Sequence, residues 1–152
     1  MFTEQKFKTV AIIGGGLIGS SLAHSIRANH LCDNLKIFDS KADVRKKLKE
    51  IFNSQEIYEN LNETVTEADL VFLCVPVGSM RDVAKRISNL LKKGCILTDT
   101  GSTKNSVIKD IQPFIKEDVW FIPSHPLAGT ENSGPGAGFS ELFKGKYWVV
   151  VP

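Results

Sequence analysis

Few side chains in this chain have types and spacing that could do chemistry: glycines at Gly14-x-Gly16-x-x-Gly19, a carboxylate at Asp39, a serine at Ser102 and a histidine at His125. The glycines interrupt the apolar run Val10, Ala11, Ile12, Ile13, and Leu17, Leu22, Ala23 and Ile26 follow at helical spacing. That is a buried strand turning directly into a helix. In such a turn the first glycine permits the tight bend, the second lets a pyrophosphate approach the backbone, and the third lets helix pack on strand. The free N–H groups of Gly16, Leu17, Ile18 and Gly19, with the positive end of the helix dipole behind them, would hold the phosphates. A glycine turn that binds nothing is the alternative.

Asp39 closes a second strand pattern, Leu35-Lys36-Ile37-Phe38, and stands 20 residues beyond Gly19. A carboxylate there can accept hydrogen bonds from both adenosine ribose hydroxyls and repels a 2′-phosphate. The expected cofactor is therefore NAD. Lys41 and Arg45 lie just past Asp39 and raise the rival, contact with a 2′-phosphate. Val44, Leu48, Ile51 and Phe52 recur at helical spacing among them, so the basic residues read instead as the solvated face of a helix over residues 41–52.

His125 follows the strand pattern Trp120-Phe121-Ile122-Pro123 and precedes a proline, which puts it at the carboxyl edge of a sheet. An imidazole there can take a proton near neutral pH, as hydride removal from an alcohol-bearing carbon requires. A histidine that only holds its own loop is the alternative. Ser102, in Thr100-Gly101-Ser102-Thr103-Lys104, can cap the helix that follows or touch a substrate, and the two roles are compatible.

The rest of the chain supplies the scaffold these residues need. Residues 57–58 read as a short strand, 61–68 as a short helix, and 70–76 as a buried strand stopped by Pro76. Met80, Val83, Ala84, Ile87, Leu90 and Leu91 make an amphipathic helix ended by Gly94, and residues 95–99 the next strand. A helix with Val107, Ile108, Ile111 and Phe114 precedes the Trp120 strand, and residues 147–151 form the last one. Strict alternation of strand and helix predicts an α/β, Rossmann-type doubly wound fold, its mostly parallel sheet carrying helices on both faces. Ligands of such sheets bind beyond the carboxyl ends of the strands, and the richest polar loop there is 124–138.

With 152 residues and 42% hydrophobic composition, the chain can bury one core and reads as one domain. The net charge of +2 is spread without a basic stripe, which argues against nucleic acid. No apolar run reaches the roughly 18 residues of a membrane span, and residues 1–6 lack the apolar segment of a signal peptide. A cytoplasmic protein without a membrane partner is expected. Cys32, Cys74 and Cys95 are odd in number and widely spaced; Cys74 and Cys95 read as buried small hydrophobes. They share no metal-ligand spacing with His24, His30 or His125, so neither a metal nor a disulfide is expected.

In order along the chain stand Gly14-x-Gly16-x-x-Gly19-Ser20-Ser21-Leu22, Val75-Pro76-Val77, Thr98-Asp99-Thr100-Gly101-Ser102-Thr103-Lys104 and His125-Pro126-Leu127-Ala128-Gly129-Thr130-Glu131-Asn132-Ser133-Gly134. With these motifs the chain resembles the nucleotide-binding half of the prephenate and arogenate dehydrogenases of tyrosine biosynthesis, from residue 10 to 152. The stretch from His125 is the most specific element. The resemblance implies NAD-dependent oxidative decarboxylation of prephenate, or arogenate, to 4-hydroxyphenylpyruvate, or tyrosine. Hydride leaves the hydroxyl-bearing ring carbon, the ring carboxylate departs as carbon dioxide, and the ring aromatises. It also implies roles for single residues: His125 accepting a hydrogen bond from the ring hydroxyl, Ser102 beside it, Thr130 and Glu131 at the substrate entrance, and main-chain groups at Val75 and Pro76 facing the cofactor. Members of that family continue into a second, all-helical domain that forms a homodimer and supplies an arginine for the substrate carboxylate. Residues 1–152 are accordingly expected to be the NAD-binding Rossmann domain alone.

Two other readings stand beside this one. Another two-domain Rossmann dehydrogenase, of the β-hydroxyacid or pyrroline-carboxylate reductase type, would share the glycines but not the Ser102 loop combined with His125-Pro126. A module that senses NAD(H) without chemistry would not need a polar loop as elaborate as residues 124–134.

Overall fold

The computed structural model describes residues 6–152; residues 1–5, part of the stretch read above for a signal segment, lie outside them. Strand β1 (Phe7–Ile13) divides the core by its alternation. Val10 and Ile12 face one side of the pleat, Ala11 and Ile13 the other, and all four are buried. Next to it lie β2 (Cys32–Phe38) and β3 (Leu70–Leu73), followed by β4 (Ile96–Asp99) and β5 (Trp120–Ile122). The five strands form one parallel sheet of order β2-β1-β3-β4-β5. Ile13 is in register with Phe38 and Leu73, and Leu73 with Asp99, so the polar residues after these strands emerge along one edge.

On the Val10 and Ile12 face, α1 (Leu17–Ala28) and α2 (Ala42–Ile51) bury Leu22, Ala23, Ile26 and Leu48. The other face is covered by α3 (Leu61–Val65), α4 (Val77–Ile87) and α5 (Lys104–Ile111). Met80, Ala84 and Ile87 of α4, and Val107 and Ile111 of α5, meet Ala11, Ile13, Val71 and Leu97 there. The expected doubly wound architecture is the observed one.

Several boundaries differ from the sequence reading, each for a local reason. Residues 57–58 make a single parallel bridge, Ile37 to Ile57, rather than a strand. α3, whose first turn is capped by the Asn60 side chain accepting from the N–H groups of Asn62 and Glu63, stops at Val65. Glu67 just beyond takes a left-handed φ of 62°, which no helix continues. α4 ends at Ile87, and Leu91 reaches the core through turns instead; Gly94, at φ 82°, then donates its N–H to the Asp118 carbonyl at 2.7 Å. β3 ends at Leu73, with only the Cys74 N–H continuing the ladder, to Ile13 O at 2.7 Å.

The largest departure concerns the last strand. β7 (Trp148–Val150) stays out of the parallel sheet and pairs antiparallel with β6 (Ser124–Pro126), placing His125 opposite Val149. His125 was expected in a loop at the sheet's edge; it lies in this short ribbon. Pro123 has no N–H to extend β5, so the chain bends out there, and Val151 N–H closes back on Pro123 O at 2.9 Å. Trp148 packs edge-on to Phe72 and against Phe143, covering part of the sheet on the α1 side. Cys95 is fully buried as expected; Cys74 keeps a little exposure as a residue while its thiol is enclosed. Among the described residues no helix is long and apolar enough to cross a membrane.

Candidate active site

The strand order reverses between β1 and β3: the chain leaves β1 toward β2 on one side and returns to β3 on the other. The loops therefore diverge beyond the carboxyl ends and leave a crevice. It measures about 750 Å³ and is bounded by Gly14, Gly16, Leu17, Ile18, Asp39, Val75 and Pro76, all expected cofactor residues. Gly19 does not line it. A Cβ on Gly19 would fall 1.8 Å from the Gly14 carbonyl oxygen, so its role is the helix–strand contact. Gly14 itself has φ 104°, and a Cβ there would lie 2.4 Å from Cys74 O. Around Gly16 a Cβ would meet nothing within 4 Å, which leaves the backbone open to a ligand. Gly16 is also the N-cap of α1 and gives no side-chain cap, and no acid stands in the first turn. The first N–H groups of that helix have no intrahelical acceptor and point their dipole at the crevice.

Asp39 is held by both neighbouring loops. Its Oδ2 accepts from Gly15 N–H and its Oδ1 from Lys41 N–H, each at 2.9 Å. Of the two basic residues behind the 2′-phosphate rival, Lys41 lines the crevice. Arg45 is turned into its own backbone, Nη1 donating to the carbonyls of Asp39 (2.8 Å) and Ser40 (3.1 Å) and Nε to Glu59 (2.9 Å). On the opposite wall burial pushes the Cys74 thiol up to about 12, so it stays protonated.

His125 reaches the crevice through one residue. Its Nδ1 lies 3.3 Å from the carbonyl oxygen of Thr100, which lines the crevice. A carbonyl only accepts, so this contact requires the proton on Nδ1 and leaves Nε2 of the neutral ring as an acceptor. Both partners are anchored by a buried polar cluster. Asp99, fully buried, accepts at Oδ2 from Gly101 N–H (2.9 Å) and Lys104 Nζ, and at Oδ1 from Ser124 N–H (3.1 Å). Lys104 Nζ also donates to Ser124 O at 2.5 Å, and Ser124 Oγ donates to Asp99 O at 2.7 Å. Thr98 completes the cluster, with Oγ1 2.9 Å from Ser124 Oγ and donating to Ile122 O at 2.7 Å. Thr100 follows Asp99 and His125 follows Ser124, so the cluster fixes the two strand ends that bring imidazole and carbonyl together.

Ser102, Thr130 and Glu131 are not brought into the crevice. Ser102 is exposed on the Thr100–Lys104 loop, and it is not the helix cap: that position is Thr103. Thr130 and Glu131 are exposed, the Thr130 hydroxyl accepting from Asn132 N–H at 3.2 Å. The loop that carries them folds back over α1. Phe139 N–H donates to Ser21 Oγ at 3.1 Å, and a Cβ on Gly138 would meet Ser20 Oγ at 2.1 Å. Gly134 and Pro135 thereby become a wall of the crevice. Sequence reasoning missed Asp99, Lys104 and Ser124 as a unit; the available signal was two opposite charges flanking Gly101 at the end of an apolar strand.

The family model for the prephenate dehydrogenase nucleotide-binding domain matches residues 22–152. A cyclohexadienyl dehydrogenase of Zymomonas mobilis is 44% identical over 96% of this chain and 50% of its own length. A prephenate dehydrogenase of Lactococcus lactis is 35% identical over 95% of this chain and 41% of its own. The crystal structure of prephenate dehydrogenase from A. aeolicus, in complex with hydroxyphenyl propionate and NAD+, superposes with a TM-score of 0.87 at 27% identity, over 99% of this chain and 52% of that one. The chain thus spans about half the length of the curated relatives it matches. On its family match and these relatives, the chain belongs to the prephenate dehydrogenase family, corresponding to the nucleotide-binding domain.

Proposed function

We propose that residues 1–152 are the NAD-binding domain of a cytoplasmic, homodimeric dehydrogenase that oxidatively decarboxylates prephenate or arogenate, a second domain supplying the dimer contacts and the clamp for the substrate carboxylate. The observation that carries this reading is the contact of His125 with Thr100, a residue that lines the crevice, which leaves Nε2 free to accept. The residues present fit a dinucleotide: the Gly16 backbone is open, α1 begins uncapped, and the Asp39 carboxylate is held at the end of β2. The complex of the A. aeolicus relative with NAD+ and relatives of about twice this length support the same reading. NAD, when bound, supplies the hydride acceptor.

The chain's own residues then bind and orient. The α1 N–H groups hold the pyrophosphate, and Asp39 accepts from the ribose hydroxyls and disfavours a 2′-phosphate. His125 Nε2 accepts the hydrogen bond of the substrate's ring hydroxyl and stabilises the positive charge that develops on that carbon as hydride departs. The bond to the ring carboxylate breaks as carbon dioxide leaves, and its electron pair completes the aromatic ring. Asp99, Lys104 and Ser124 act as positioning residues for the imidazole. Ser102, on the loop that presents Thr100, contacts the same substrate region, while Thr130 and Glu131 face its entrance.

Following NADH formation at 340 nm with prephenate and with arogenate, in the complete enzyme and its His125→Asn variant, tests this reading. The variant is expected to lose about 10²- to 10⁴-fold in kcat while binding NAD+ as the parent does. Unchanged turnover refutes the role of His125. NAD+ binding with neither substrate turned over favours the nucleotide-sensing alternative.

A further inference from the structure

We propose that Glu59 is a cofactor-specificity residue: it pins and neutralises the Arg45 guanidinium beside the ribose end of the crevice, so that discrimination against a 2′-phosphorylated dinucleotide rests on Glu59 as well as on Asp39. This inference rests on the cofactor reading above. Arg45 is the cation best placed to undo that discrimination. Its Nη1 lies within hydrogen-bond distance of Asp39 O (2.8 Å) and Ser40 O (3.1 Å), at the end of β2 where the adenosine ribose binds in that reading. Its guanidinium carbon sits 5.9 Å from the centre of the Phe38 ring, whose residue also borders the crevice. A guanidinium free to rotate from that spot would meet a 2′-phosphate with a forked pair of donors.

Glu59 occupies it. The carboxylate accepts from Arg45 Nε at 2.9 Å and also pairs with Lys49, so a single acid neutralises two cations of α2. Those two partners, Lys49 first and Arg45 second, hold the Glu59 carboxyl below the usual carboxylate range, which keeps it ionised at neutral pH. The Arg45 side chain, covered by Glu59, the Phe38 ring and the carbonyls of Asp39 and Ser40, is only 17% exposed. The Asp39 carboxylate accepts instead from the amides of Gly15 and Lys41, each oxygen keeping a second lone pair for a ribose hydroxyl. Asp39 repels the phosphate, and Glu59 withholds the cation that would attract it.

Calorimetric titration of NAD+ and NADP+ onto the 152-residue chain, its Glu59→Gln variant and the Arg45→Gln/Glu59→Gln double variant tests the inference. The Glu59 side chain is 59% exposed, so the substitution leaves the core intact. Glu59→Gln is expected to raise NADP+ affinity about tenfold, the value of one charge-assisted contact, and to leave NAD+ affinity within about twofold. The gain should shrink as salt is added and vanish in the double variant. Unchanged NADP+ affinity with NAD+ binding intact, or a gain that survives loss of Arg45, overturns the inference. A parent chain that binds no NAD+ overturns the cofactor reading itself.

Discussion

Replacing Lys104 by methionine tests whether the cluster beneath His125 is held by charge. Asp99 is fully buried and the Lys104 side chain only 17% exposed, so the pair sits largely out of water. Removing one partner of a buried ion pair costs about 3–5 kcal/mol, mostly from the orphaned charge. The lower end applies here, because Asp99 keeps the N–H groups of Gly101 and Ser124 and methionine preserves the apolar stem. A loss of about 3 kcal/mol lowers the urea midpoint by about 1.5 M, for a slope of about 2 kcal/mol/M, and Tm by about 6–12 °C. Urea unfolding at pH 7, followed by far-UV circular dichroism and by the fluorescence of Trp120 and Trp148, measures it. Asp99→Asn/Lys104→Met removes the orphaned charge and should recover more than half of the loss. A cost below about 1 kcal/mol for Lys104→Met, or a double variant no more stable than the single one, refutes the reasoning.

Gly19→Ala and Gly16→Ala should behave oppositely. The Cβ at residue 19 would sit 1.8 Å from Gly14 O, so α1 must separate from β1; a loss of about 3 kcal/mol or more in thermal melts is expected, and a normal Tm contradicts the packing role. At residue 16 the methyl meets nothing, so the variant should melt like the parent yet bind NAD+ more weakly by calorimetry. His24, its ring tilted against that of Phe52 with centroids 4.6 Å apart, has its pKa lowered by burial and then by Arg27. Its folded value lies below the 6.5 of the free group, so the unfolded chain binds the proton more tightly. The stability it contributes is complete above pH 6.5 and is lost as pH falls through that value toward the folded one, and His24→Phe should flatten the fall of Tm between about pH 7 and 5. An unchanged slope would remove His24 from the account.

The sequence by itself determined the parallel sheet, its two helical layers and one wall of the crevice. Those features rest on local rules: an apolar run such as Val10–Ile13 reports a strand buried on both faces, and the glycine spacing 14, 16 and 19 reports a tight turn in which positions 14 and 19 admit no larger side chain while Gly16 leaves the backbone open. Asp39 was legible for the same reason, since its distance from Gly19 is set by one strand–helix–strand unit. The tertiary structure alone decided the rest. Thr100 and His125 are 25 residues apart, as are Asp99 and Ser124, and no periodicity records which loops meet. The strand at 147–151 was legible but its partner was not: β6 has only three residues and the prolines at 123 and 126 disguise it as a loop, so the antiparallel ribbon with β7 left no local signal. Arg45 likewise reads as a solvated helix charge until the chain returns with Glu59, 14 residues later, to bind it. Periodicity reports how each element faces the core, whereas the chemistry of this site lies where separate elements end, and only folding brings those ends together.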